Sequence, residues 1–576
     1  MISYRIDVDE PHSHVFRITM TVAQPAAEQR LSLPVWIPGS YMVREFGRHL
    51  SALQATQGRK PVALQQLDKT TWLARCSGRT TLTLNYRVYA FDPSVRTAWL
   101  DERRGFFNGT SLCLRAEGHE AEQHKLEFGP LPAGWDVATA MPCIGAGQYI
   151  AAGYDELVDH PVELGAFWRG RFEAHGVPHE FIVAGAWPGF DGERLLADTR
   201  RICEQQIRFW HPEAPHRPPF DRYVFLLNAV EEGYGGLEHR ASTALICNRR
   251  DLPRQRMEGL PDGYVTLLGL ISHEYFHTWN VKRLRPVDFE RYDYTRENYT
   301  RLLWFFEGFT SYYDDLMLLR AGLIDAARYL KLVAKAANAV AATPGRQVQS
   351  VAEASFDAWV KYYRTDENTP NATVSYYLKG SLVGLALDLR LREAGSSLDA
   401  VMRRLWQGSG GGPVSEQDIA DALQALGGRS YAAELADWVH GTAELPLAEL
   451  LRAVGVAVRH EKAGFAASLG LRLSEGALTG VQVKAVLAGS AAMAAGLSAG
   501  DELLAIDGWR IRRLDDALGW IDRAAPFELL LVRDQRVRTL RVTPDATGPA
   551  SQTVTLQLDD KPPPATLARR RAWLDG

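Results

Sequence analysis

Between Thr80 and Phe91 apolar and polar residues alternate. Leu82, Leu84, Tyr86 and Val88 fall on one face, and Thr81, Thr83, Asn85 and Arg87 on the other. A period of two marks a half-buried strand. Ser13 to Ala23 and Phe181 to Ala184 carry similar β-branched and aromatic material. Pro34, Pro38 and Gly39 punctuate the stretch around Trp36 as turns. Residues 1–165 are therefore expected to form an antiparallel, sandwich-like β domain.

The texture changes near residue 190. Leu195 to Trp210 suits a helix, and the Pro-rich stretch His211 to Pro219 leads into an apolar strand, Tyr223 to Leu227. From 263 to about 455 the pattern is mostly helical. Ser415 with Asp418 reads as a capping box after the loop Gly408 to Pro413. Near 456 short β-runs return, with Gly470, Gly476, Gly480, Gly489, Gly496, Gly500 and Gly508 at turn positions. The end is polar and Pro-rich, with Pro562 to Pro564 before Ala568 to Leu574. The expected organisation is multidomain α+β. It runs 1–165, an N-terminal antiparallel β domain; 166–455, a mostly helical domain; 456–545, a small β module; and 546–576, a C-terminal tail.

Composition narrows the classes. The chain has 576 residues, 46% hydrophobic and 23% charged, with a formal net charge of −4. That is ordinary globular usage with no basic field to attract nucleic acid or an anionic membrane. The five cysteines include no CxxC pair, which argues against a disulfide framework or a thiolate zinc site. The first twenty residues lack a secretion signal, and the longest apolar stretches are far short of a membrane span. The expectation is a cytoplasmic protein; removal of a signal would make it periplasmic.

One cluster carries chemistry. His273-Glu274-Tyr275-Phe276-His277 is an HExxH motif at the end of a Pro-free run. On a helix, residues four apart share a face, so two imidazoles can reach one Zn²⁺ with Glu274 alongside. A catalytic zinc site needs a third protein ligand. Leu303 to Tyr313 reads LWFFEGFTSYY, and Glu307 is its only acid. A carboxylate among aromatic residues is costly to bury without a cation. The rival is Glu297 in the polar stretch RENYT, which a solvated helix start would explain.

HEYFHTW followed by LWFFEGFTSYY resembles the glycyl aminopeptidase family of PDZ-containing zinc metallopeptidases. This is a gluzincin family related to aminopeptidase N and thermolysin. Gly235-Gly236-Leu237-Glu238-His239 is similar to the substrate-binding GxMEN box of aminopeptidases, with Leu237 for Met and His239 for Asn. Tyr377-Leu378-Lys379-Gly380 looks like their YxKG motif. Ser311 stands where thermolysin-like endopeptidases carry Asp, and the interval between His277 and Glu307 is longer than in aminopeptidase N. Ser468-Leu469-Gly470-Leu471 resembles the carboxylate-binding loop of PDZ domains, and Ala495 to Gly508 is similar to bacterial PDZ modules.

The resemblance implies a thermolysin-like catalytic domain with one Zn²⁺ on His273, His277 and Glu307. Glu274 is the general base and Tyr377 the oxyanion donor, with Tyr376 as the other candidate phenol. Gly235 and Gly236 let a peptide backbone approach, and Glu238, which alone reads as a surface acid, would receive the substrate's α-ammonium. The implied activity is release of small N-terminal residues, Gly and Ala, from peptides with a free N-terminus. Leu469, Gly470 and Leu471 would line a groove for a C-terminal peptide. Two other readings are a zinc endopeptidase and a PDZ scaffold on a weak or inactive peptidase fold; the complete motif set favours an active enzyme.

Overall fold

The alternating run at 80–91 is realised as the strand Leu82–Tyr89, with Leu82, Leu84, Tyr86 and Val88 buried. The structure is a computed structural model and describes residues 1–476, 478–545 and 552–576. It contains two compact units, Met1–Tyr299 with Gly408–Pro413, and Thr300–Gln407 with Val414–Gly576.

In the first unit, Leu82–Tyr89 lies inside an eight-stranded sheet between Val15–Val22 and Leu50–Gln57, both antiparallel to it. The pairing is antiparallel except where Ile2–Glu10 runs parallel to His124–Phe128. Ile18, Met20, Leu84, Phe107 and Leu126 share its core. Burying a side chain of this size contributes about 1.5–3 kcal/mol.

The same unit holds a five-stranded sheet in the order Trp168–Ala174, Val177–Ala184, Tyr223–Val230, Ser242–Asn248, Gly235–Glu238. Its three middle strands are parallel. Tyr223 to Leu227 are all buried, so this strand reads as a continuous apolar run. The helix Gly192–Trp210 starts three residues before the sequence pattern suggests, because Asp191 caps it by accepting from the Arg194 N–H at 3.0 Å. Against it packs Asp262–Phe276, a helix with apolar residues around most of its circumference, as a buried helix requires.

The second unit is helical around Gly308–Arg320 and Leu378–Glu393. The Ser415 capping box forms: its hydroxyl accepts from the Asp418 N–H at 3.2 Å, and the Asp418 carboxylate accepts from the Ser415 N–H at 2.7 Å. Leu471–Gly476, Gly480–Val486, Glu502–Ile506, Phe527–Arg533 and Arg536–Val542 form a sheet with its own core of Val481, Val483, Ile506, Leu529 and Leu531.

The stretch expected as a polar tail is built into this unit, apart from 546–551, which lie outside the described residues. Gln552–Leu558 pairs with Val456–Lys462, apart from the sheet of the small module. The helix Pro564–Leu574 buries Trp573, whose indole N–H donates to the Tyr312 hydroxyl at 3.0 Å. Its buried residues are confined to the last turn, which leaves no apolar period to read. Among the described residues no helix is long and apolar enough to cross a membrane.

Candidate active site

The helix Asp262–Phe276 ends at the HExxH motif, so His277 stands at its C-cap, still in right-handed helical conformation. That keeps His273 and His277 one turn apart, and their Nε2 atoms lie 3.0 Å apart. His277 Nδ1 donates to the Asn280 carbonyl at 2.7 Å, which leaves its Nε2 lone pair for a ligand. Two nitrogens about 2.0–2.1 Å from a tetrahedral zinc are about 3.3 Å apart. The pair therefore fits such an ion.

Glu274 is buried on the same helix. It points at the edge strand Gly235–Glu238, where a Cβ on Gly236 would lie 2.0 Å from its Oε1. The second glycine of the box is thus needed for the Glu274 carboxylate to fit. Glu238 lies two residues along, on the same strand face as Gly236. Glu238, Glu274 and His277 bring one ligand atom each within 4.8 Å of one another.

Two residues that sequence reasoning missed approach this strand from the β domain. Gly39 has φ +91°, and a Cβ there would meet both Glu238 carboxylate oxygens at 2.5 Å. The turn signal Pro38-Gly39 was visible in the sequence; its contact with Glu238 was not. Arg96 Nη2 donates to the Gly236 carbonyl at 3.0 Å.

Behind Glu238 lies a buried charge cluster. Lys282 Nζ is 2.7 Å from Asp159, which also accepts from the Arg240 N–H at 3.0 Å. Burial opposes the charged form of Asp159, but Lys282, His239 and Arg240 outweigh it and hold the carboxyl well below its usual range. His239 Nδ1 faces Asp159 at 3.3 Å; burial, only partly opposed by Asp159, brings this imidazole down to about 4. It is neutral at pH 7 and can donate to the carboxylate. The departure from Asn at 239 thus has a built partner.

In the second unit Glu307 sits at the junction of Leu303–Phe306 and Gly308–Arg320, 2% exposed. A Cβ on Gly308 would lie 2.6 Å from the Gly380 Cα, so the helices that follow Glu307 and Tyr377 touch glycine to glycine. The glycines of WFFEG and YLKG are packing residues. Tyr377 is the N-cap of Leu378–Glu393 and is half-buried. Burial and the Glu307 carboxylate push its phenol well above the ordinary value, so it stays protonated and able to donate. Tyr376 is fully buried and stacks on Tyr377 at 4.8 Å. Glu297, in the first unit, lies in an irregular loop where no helix begins.

In the small module, Leu469 and Leu471 are buried in the core. Gly470 ends the short helix Phe465–Leu469 in left-handed conformation at φ +76°, and its N–H donates to the Ala467 carbonyl at 2.9 Å.

The arrangement belongs to a peptidase. The Peptidase M61 N-terminal domain matches residues 3–166, the M61 glycyl aminopeptidase model residues 266–383, and the PDZ domain model residues 482–533. An aminopeptidase N family protein from Idiomarina loihiensis is similar over 100% of both chains, with 36% identity and a TM-score of 0.93. The chain belongs to the M61 glycyl aminopeptidase family. An M1 zinc metallopeptidase from Deinococcus radiodurans, bound to Tyr-Ser-Ala, is 16% identical over 77% of this chain and 94% of its own, with a TM-score of 0.47. No protein among those of curated function matches.

Proposed function

We propose that this peptidase is a zinc-dependent aminopeptidase that releases small N-terminal residues, Gly and Ala, from peptides. The observation that carries the reading is the convergence of His273 and His277 Nε2, 3.0 Å apart, beside the Glu238–Glu274–His277 group. His273 and His277, with Glu307 as third ligand, would hold one Zn²⁺ per chain. When bound, zinc lowers the pKa of water and polarises a carbonyl.

The remaining steps belong to side chains. Glu274 accepts the proton of the attacking water on its carboxylate and returns one to the leaving amine. The Tyr377 hydroxyl donates to the oxyanion without changing charge. Glu238 binds the α-ammonium by charge-assisted hydrogen bonds and so fixes how far the N-terminus lies from the reacting carbonyl. Only the first peptide bond is then in reach. Gly235 and Gly236 would present backbone groups to the substrate along the strand edge, with the Cβ position of Gly236 taken by Glu274.

The test is metal stoichiometry in purified variants. Wild-type protein should carry one zinc, and Glu307→Gln should lose both zinc and activity while Glu297→Gln keeps them. Full zinc in Glu307→Gln with loss in Glu297→Gln would transfer the ligand role to Glu297.

A further inference from the structure

Arg96 is the arginine of the first unit that lies along Gly235 and Gly236. Arg169, Arg171 and Arg222 line a cavity, but all three share Glu180 as their carboxylate partner. Arg96 has no carboxylate partner among the described residues. Its guanidinium makes one hydrogen bond, from Nη2 to the Gly236 carbonyl at 3.0 Å, and its Nε is shielded from solvent without a partner. Nη1 would lie 3.5 Å from a Cβ on Gly235, so the guanidinium runs along the two glycines in ordinary contact. A guanidinium carries five donors and a permanent charge, and most of that capacity is unspent here.

The loop that carries it is held in place. Buried Asn108 donates from Nδ2 to the Val95 carbonyl at 2.9 Å and to the Thr97 carbonyl at 3.2 Å, on either side of Arg96. The Arg96 N–H donates to Ser94 Oγ at 3.2 Å, and the Ser94 N–H to Asp92 Oδ1 at 2.9 Å. The backbone under Arg96 is thus fixed before any ligand arrives, which lowers the ordering cost of binding.

On the proposed aminopeptidase reading, on which this inference rests, the substrate's α-ammonium meets Glu238. Its chain then runs antiparallel to the strand, towards Gly236 and Gly235. These glycines lie two and three residues from Glu238, or about 7 and 10 Å along an extended strand. An extended peptide of two or three residues places its two charged ends at a similar separation. The reacting system itself supplies the anion that Arg96 lacks.

We infer that Arg96 is the subsite for the C-terminal carboxylate of the substrate, and that the enzyme acts on di- and tripeptides with both ends free. The carboxylate and guanidinium pair through parallel N–H···O bonds, with Glu238 at the opposite end of the strand acting as the second charged stop.

The experiment compares kcat/KM of the full-length zinc enzyme on Ala-Ala and Ala-Ala-Ala with their C-terminal amides. The acids should be preferred by about ten- to a hundredfold, the range of a hydrogen-bonded charge pair. Arg96→Gln should bring the acid-to-amide ratio close to one, and Arg96→Lys should keep part of it. A readout independent of turnover is the affinity of Glu274→Gln protein for the same acid and amide by calorimetry, where the same preference should appear and vanish on adding Arg96→Gln. Equal use of acids and amides by the wild type would overturn the inference. So would an equal loss on both in Arg96→Gln, which would make Arg96 a brace for Gly236 alone. Comparing free with N-acetylated substrates reports separately on the aminopeptidase reading.

Discussion

Two strands of this chain close a sheet beside a glycine. Gly235–Glu238 ends the five-stranded sheet of the first unit, and Leu471–Gly476 ends that of the PDZ module. Each is an edge strand of its sheet. At Gly236 the missing Cβ makes room for the Glu274 carboxylate, and at Gly470, just before the second strand, it makes room for the Ser490 side chain, 2.1 Å from where a Cβ would lie. Glu238 is buried with Gly39 against its carboxylate. Around the second edge the buried neighbours are apolar, and Glu475 accepts from the Leu514 N–H at 2.8 Å. The first edge has buried charges arranged beside it, and its glycine makes room for one of them.

Substitutions on the two sides should therefore fail in different ways. The largest effect is expected at Glu274. Glu274→Gln should keep zinc while turnover falls by about 10²–10⁴, because on the proposed function this side chain moves protons and the metal is held by His273, His277 and Glu307. Near-normal turnover in zinc-loaded protein would remove the base assignment. Next is Tyr377→Phe, with a fall in kcat of about 10²–10³ and little change in KM; a larger fall in Tyr376→Phe would exchange the two phenols. Gly39→Ala comes third. Its methyl group would displace the Glu238 carboxylate, and kcat/KM on free peptides should fall by about tenfold, mainly through KM. On the PDZ side, Leu531→Ala removes a fully buried side chain. It should cost that module about 2–5 kcal/mol in chemical denaturation, with kcat/KM within about twofold of wild type. A loss of turnover as large as that of Tyr377→Phe would end the distinction between the two edges.

Period and spacing made much of this visible in advance. The alternating strand at 82–89, the HExxH helix and the Ser415 capping box each follow a local rule, and each is where the pattern puts it. The C-terminal helix was missed because Trp573 and Leu574 are its only buried residues. Gly39 and Arg96 were missed as neighbours of the Gly235–Glu238 strand for a different reason. Their partners, Glu238 and Gly236, lie far along the chain, and only the β domain's packing joins them. His239 looked like a departure from a motif until Asp159 was placed beside it.

On the proposed function, Glu238 is the group that would make this peptidase an exopeptidase. The most direct measurement is kcat/KM of wild type and Glu238→Ala on Ala- or Gly-peptides with free and N-acetylated ends. The wild type should prefer the free end by about ten- to a hundredfold, since acetylation removes the charge-assisted contact between the α-ammonium and Glu238. Glu238→Ala should lose activity on free peptides and narrow that gap towards parity. Wild-type enzyme that cleaves acetylated peptides as fast as free ones would contradict the account and make the protein an endopeptidase.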